Sequence, residues 1–327
     1  MNIAFAGLRH GHIFGLAGLA KQNPKVTIAG WWEEDKAAYS DGCSIFEMPA
    51  YPSFEALLAD ESVDVVAVGD YFGVRGQRII AALKAGKHVI SDKPVCTSLD
   101  ELAEIESLLK EKKLKLGCML DLRYEPCLRH LSNLIADGVL GEIKTACFTG
   151  QHPLNWGSRP QWYFEKGKHG GTFNDIAIHG LDAIHFLTGY QWVETLYANQ
   201  WNAFASLAPD FHDCAQCVGK LKNGANVMAD VSYAAPSPGG FKTPAYWRFT
   251  LWGTKGFAEC RVNDPSVTLL LTGDSQPHTV TATSVDGDYL RDFMREMQGE
   301  TVQFDTQSVL ISSRTALQLQ HYADRKG

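Results

Sequence analysis

The sequence predicts a protein of two parts: an α/β, doubly wound parallel sheet over residues 1–121 and, over 122–327, an α+β unit built on an open, mostly antiparallel sheet. Three observations carry this expectation. The first third alternates short apolar β runs with helical runs, the rhythm of a parallel sheet wound on both faces. From about Asp121 onward the rhythm gives way to longer runs that alternate with period two, the pattern of an antiparallel sheet with one face buried. A chain of 327 residues also exceeds what one core usually organises, since domains run to roughly 100–200 residues.

In the first part, residues 3–6 read as a strand, 11–21 as a helix, 26–31 as a strand and 54–59 as a short helix. The stretch 63–68, apolar but for Asp64, reads as a buried strand. Residues 78–85 are helical, with Gly86 placed as C-terminal cap, and 88–91 form the next strand. Ser98 and Glu101 have capping-box spacing for a helix running to Lys113, before a strand at 114–120. In the second part a helix over 126–137 stops at Gly138. Period-two runs follow at 142–150, 193–201, 213–221, 225–233, 247–252, 257–262 and 267–272, and helices at 288–298 and 308–323 close the chain. Between the first two of these strands, an insertion over 151–171 is rich in aromatic and polar residues. Long loops of this kind tend to carry function, and this one is expected to close over the site.

Apolar residues make up 45% of the chain and charged residues 20%, an ordinary globular balance, and no stretch approaches the ~20 apolar residues of a membrane-spanning helix. A net charge of −7 argues against nucleic acid or an anionic membrane as general partner and leaves a small molecule as the expected ligand. The first strand begins with no basic or apolar leader before it, so a cytoplasmic location is expected. The cysteines lie mostly inside apolar runs, as reduced core thiols do. Only Cys214 and Cys217 have ligand-like spacing; with no second close pair and a strand-like alternation around them, no metal site is expected.

The turn "GLRHGH" joins the first strand to the first helix, where a dinucleotide's pyrophosphate is usually cradled. Gly7 supplies the tight turn. Arg9 and His12 stand where second and third glycines are usual, with His10 and Gly11 between them. A turn that binds nothing is the competing reading. Glu33, near the end of the second strand, is placed to meet the adenosine ribose, which favours NAD over NADP because a carboxylate repels a 2′-phosphate. Lys93 stands just past the strand at 88–91, where open α/β sheets bind ligands, and Pro94 fixes the backbone beside it. An ammonium there can polarise a substrate hydroxyl or carbonyl. In "GGTFNDIAIHGLDAIHFLTG" a helix over 175–187 would set Asp175, His179 and Asp182 on one face, a histidine for moving a proton with carboxylates to orient it. His185 falls off that face and reads as packing.

These pieces together resemble the Gfo/Idh/MocA family, that of glucose-fructose oxidoreductase and inositol dehydrogenase. "AGKHVISDKP" is similar to the family's "aGKHVxxEKP", "LRYEP" to its "nxRfxP", "IADGVLGEI" to its "GxxGxi" and the glycine-led helix to its "GGGxxxDxGxHxxD", in the same order along nearly the whole chain. The resemblance implies a Rossmann domain, a sheet domain for substrate binding and oligomerisation as a homodimer or homotetramer, and hydride transfer between nicotinamide and a sugar or polyol carbon. It implies that Lys93 contacts substrate and nicotinamide ribose, that Asp175 helps hold the substrate and that His179 is the general acid/base. Arg123, Tyr124, His152, Trp156, Arg159, Trp162 and Tyr163 are candidates for a sugar pocket. Three departures stand out. Asp92 replaces the glutamate of "EKP", Ala177 the glycine of "DxGxH", and "GDYFGVRGQ" replaces the usual "TPNxxH", which brings Asp70 near the cofactor phosphates with Arg75 or Arg9 to compensate. Arg9 in the first turn and the missing "TPNxxH" support a second reading, a non-redox relative that binds a sugar or serves assembly. A third reading keeps tightly held NAD and performs elimination or glycoside cleavage through transient oxidation.

Overall fold

The computed structural model describes residues 1–282 and 286–325. The chain forms two compact units, one of Met1–Met119 with Pro160–Gly170 and Asp288–Arg314, the other of Leu120–Arg159, Gly171–Gly287 and Thr315–Gly327.

The first unit begins β1 (Asn2–Ala6), α1 (His12–Gln22), β2 (Thr27–Trp32), α2 (Lys36–Ile45), α3 (Phe54–Ala59), β3 (Val65–Val68), α4 (Phe72–Lys84), β4 (His88–Ser91), α5 (Leu99–Lys112) and β5 (Leu116–Cys118). Its strands pair in parallel in the order β2-β1-β3-β4-β5. Ile3, Phe5, Val65, Val66, Val89 and Ile90 are fully buried, as expected where helices cover both faces of a sheet and apolar runs are unbroken. The helix α2 is absent from the sequence reading because its apolar pattern is weak and contains Gly42; Asp35 starts it by accepting the N–H groups of Ala37 and Ala38. The helix α4 begins at Phe72, ahead of the expected 78, because Gly73 and Gly76 dilute its local propensity. Gly73 is there for close approach, since a Cβ would lie 2.0 Å from the carbonyl oxygen of Gly167. Ser98 caps α5 as expected, but the Glu101 carboxylate accepts from Gln77 at 3.0 Å.

The second unit contains α6 (Pro126–Ala136), β6 (Ile143–Pro153), α7 (Ile178–Thr188), β7 (Trp192–Trp201), β8 (Cys214–Leu221), β9 (Asn226–Ala235), β10 (Arg248–Gly253), β11 (Gly256–Arg261), β12 (Ser266–Leu271) and β13 (His278–Thr281). The strand order is β13-β12-β11-β10-β6-β9-β8-β7, antiparallel throughout except for the parallel pair β6–β9. The short, polar β13 gives no sequence signal. One face of the sheet is buried through Ala198, Cys217, Ala229, Phe148, Phe249 and Ala258. Against it lies α7, brought close by Gly180, where a Cβ would stand 2.2 Å from the Phe148 ring. The last helices are α8 (Tyr289–Met297) and α9 (Thr306–Asp324). In the first unit, Phe293 of α8 fills the space above Gly117 of β5, where a Cβ would meet its ring at 2.8 Å.

Candidate dinucleotide and substrate sites

At the carboxyl end of β1, Gly7 turns the chain at φ +76°, and a Cβ there would lie 2.5 Å from the Asp70 side chain. Glycine is required on both counts. The helix α1 starts after Gly11 with no side-chain cap over its first N–H groups. Among the described residues nothing stands within 4 Å of a Cβ built on Gly11. An open helix start with uncapped donors fits a pyrophosphate despite the missing second glycine.

Arg9 is folded into a charge cluster. Its guanidinium lies 3.3 Å from Glu33, 3.3 Å from Asp70 and 2.9 Å from Glu34, and 5.1 Å over the Tyr71 ring. Burial lowers its pKa, but Asp70, Glu33 and Glu34 outweigh that and raise it. Burial pushes the Asp70 carboxyl up, against the pull of Arg9. Glu33 sits on the turn itself, where one oxygen accepts the Leu8 N–H at 2.5 Å and the other accepts the N–H groups of Glu34 and Asp35 at 2.8 and 2.7 Å. Sequence reasoning missed Arg78, which reaches Glu34 at 3.1 Å and Asp70 at 3.5 Å and covers the Trp32 ring. Its spacing of three residues from Arg75 on one helix was the available signal.

Beyond β4, Asp92 and Lys93 are both buried. Asp92 accepts from His10 Nδ1 and, at 2.9 Å, from Arg75 Nη2, and lies 3.4 Å from His12 Nδ1. Burial alone would raise the Asp92 carboxyl, but Arg75, His10 and His12 hold it well below the usual range. Burial pushes His10 down to about 3, so the ring is neutral and gives its Nδ1–H to Asp92. Donor atoms of His10, His12 and Asp92 lie within 4.8 Å of one another. Asp92 already carries the Arg75 guanidinium, so the set reads as an ion-pair network. Phe72 underlies it, its ring centre 5.4 Å from Lys93 Nζ and 5.1 Å from that of His10. Trp162, expected at the substrate, packs in this unit at 5.0 Å from Phe72, and its indole N–H donates to the Arg9 carbonyl at 3.2 Å. Tyr163 packs beside it.

In the second unit, Gly171 at φ +97° leads into a π-helical turn, Phe173–Ala177, before α7. Asp175 lies in this π-helical turn, and His179 and Asp182 lie in α7. Asp175 accepts from the Tyr233 hydroxyl. Asp182 takes both arms of the Arg123 fork at 2.7 Å. His179 Nδ1 stands 3.8 Å from Asp121, and its ring lies 5.8 Å from Trp247. Tyr124 lies under the Arg129 guanidinium, and His152 packs edge-on against Phe241, Tyr246 and Trp247. Arg159 donates to the carbonyls of Leu154 and Pro153 and covers the Tyr233 ring. A cleft of about 500 Å³ is lined by Leu154, Trp156, Ser158, Tyr233 and Ser237. Sequence reasoning missed Tyr233, whose only signal was its place in a period-two run.

Comparison with known proteins identifies both parts of the chain. Residues 1–119 match the oxidoreductase family with an NAD-binding Rossmann fold, and residues 128–259 match the GFO/IDH/MocA C-terminal domain. The chain is 30% identical to 1,5-anhydro-D-fructose reductase of Ensifer adhaerens over 41% of its own length and 40% of that protein's. It is 25% identical to D-xylose 1-dehydrogenase (NADP(+)) 2 of Haloferax volcanii over 90% of its own length and 88% of that protein's. The fold superposes on aldose-aldose oxidoreductase of Caulobacter crescentus with a TM-score of 0.81 at 18% identity, covering 100% of this chain and 98% of the other. An NAD-binding parallel-sheet unit and the matching C-terminal sheet together make this chain a member of the Gfo/Idh/MocA oxidoreductase family.

Proposed function

We propose that the protein is an NAD(P)-dependent dehydrogenase or reductase that moves a hydride between nicotinamide and a CH–OH carbon of a sugar, polyol or sugar derivative. The observation that supports this best is Lys93, 4% exposed and held at the carboxyl end of β4 in the same sheet as the Gly7 turn. That is where a parallel sheet presents a ligand to charged groups. Two relatives are named for reactions on sugars, a reductase and a dehydrogenase.

In this reading residues 1–121 hold the dinucleotide, with Gly7, Arg9, His10, Gly11 and His12 at the pyrophosphate and Glu33 at the ribose. Bound nicotinamide supplies the hydride acceptor or donor. Lys93 directs its ammonium at the substrate oxygen, and Asp175, steadied by Tyr233, holds the substrate. The nearby Asp121 carboxylate favours a proton on His179 Nδ1, which leaves Nε2 to take the hydroxyl proton as the carbon is oxidised. The residues of 122–327 provide substrate binding and self-association.

Titration with NADH and NADPH by nicotinamide fluorescence tests the first half. NADH is expected to bind more tightly, because Glu33 carries a negative charge at the turn. Failure of both at millimolar concentration would return the chain to the non-redox reading. For the second half, a panel of sugars and polyols should yield turnover, and His179→Asn should lower kcat by about 100-fold or more with dinucleotide affinity unchanged.

A further inference from the structure

We propose that Arg75 is a positioning residue for Lys93, holding the Asp92–Lys93–Pro94 turn from beneath so that the ammonium stays fixed over Phe72. The proposal rests on the reading that Lys93 faces the substrate. Arg75 is fully buried. Its Nε donates to the Asp70 carbonyl at 2.7 Å, Nη1 to the carbonyls of Lys93 and, at 3.3 Å, Pro94, and Nη2 to Asp92 at 2.9 Å. The guanidinium lies 4.6 Å over the same Phe72 ring that underlies Lys93. One planar group therefore ties the ends of β3 and β4 together and sets the backbone of the residue whose side chain matters. Its donors go to protein oxygens, so it acts through Lys93.

Two departures noted in the sequence, Arg75 within "GDYFGVRGQ" and Asp92 before "KP", meet here as one feature. Asp92 is a methylene shorter than the glutamate of the resembling pattern, and Arg75 reaches farther than a histidine. The charged and titratable groups around this pair are His10 and His12 from the α1 turn, Lys93 itself and, through its carbonyl, Asp70. With the shorter Asp92 in place, a planar fork with several donors is needed, which lysine and histidine do not provide.

Competitive labelling of the full, dinucleotide-free chain with trace acetic anhydride, read by mass spectrometry, tests this. Lys87 is the internal reference: it is buried in the same unit, and its ammonium donates to the carbonyls of Asp60 and Val63 at 2.7 and 2.9 Å. Arg75→Gln should raise the Lys93/Lys87 labelling ratio by about tenfold or more, the equivalent of losing one hydrogen bond to a charged group. Should that variant not fold, Arg75→Lys should raise the ratio in the same direction by a smaller factor. Arg75→His should raise it as well, and Arg75→His with Asp92→Glu should bring it back to within about threefold of wild type, near the error of additivity. A ratio unmoved in the folded variants, or no recovery in the double variant, overturns the proposal. An NADH titration of the same wild-type sample separates the two readings. Labelling that behaves as expected without NADH binding keeps Arg75 as the clamp and removes the proposed function. NADH binding with an unmoved ratio does the reverse.

Discussion

His10 joins the nucleotide turn to the Asp92 network, and its neutral ring makes the first unit sensitive to acid. Burial takes its pKa from 6.5 in the unfolded chain to about 3 in the folded one, against the attraction of Asp92. Between those values the unfolded state binds a proton that the folded state refuses, so stability is complete above 6.5 and falls as pH drops toward 3. Asp92, depressed below 3.8, adds a further loss at the acid end. The thermal midpoint of wild type should therefore decline from about pH 6.5 downward, and His10→Gln should flatten that decline; an equal slope in both proteins would show that His10 titrates as if exposed. At this scale the sequence reading put forward Gly7, Glu33, Lys93, Asp175 and His179 as candidates because strand ends and glycine turns mark themselves by pattern. It missed Arg78, Tyr233 and the partner of Arg123 because a long side chain's partner depends on tertiary distance, which no local spacing encodes.

Among the elements, the buried strand expected at 63–68 was legible because the apolar run of Val65–Val68 between turn signals has few other solutions, and the exposed Asp64 lies just ahead of it. The missing α2, the early start of α4 and the π-helical turn before α7 share a cause: glycines or weak amphipathicity erase the 3.6-residue period while packing restores the helix. Glycines in two helices therefore separate packing from propensity. A Cβ at Gly180 of α7 would meet Phe148 at 2.2 Å, so Gly180→Ala should destabilise by roughly 1–3 kcal/mol. Gly18 lies within α1 with no described atom within 4 Å of a Cβ, so Gly18→Ala should stabilise by roughly 0.5–1 kcal/mol. Urea unfolding of both variants should shift midpoints in opposite directions. A loss of stability in Gly18→Ala would mean that α1 has a neighbour in solution that the fold does not show.

For the whole molecule, the passage from a parallel sheet to a mostly antiparallel one was legible from the change of period near Asp121, and among the described residues no helix is long and apolar enough to cross a membrane. The eight-stranded sheet raises a question that its own unit does not answer. Tyr197, Val218, Met228 and Cys147 stand in register across β7, β8, β9 and β6, and Trp252 and Phe257, paired on neighbouring strands, belong to the same side. This is the face opposite Phe148 and Ala229. Tyr197, Met228 and Trp252 are 43, 51 and 51% exposed. Aromatic and apolar side chains repeated across a sheet face favour burial against a partner, and a second copy offers a complementary surface by symmetry. The proposed self-association therefore belongs to this face. Sedimentation velocity of wild type should give a dimer or larger species, and Met228→Glu with Trp252→Glu should reduce it to a monomer because the carboxylates would be buried without partners. The dinucleotide turn lies in the other unit, so NADH affinity should survive the change. A wild-type monomer at micromolar concentration, or an assembly untouched by both substitutions, would rule this face out as the contact.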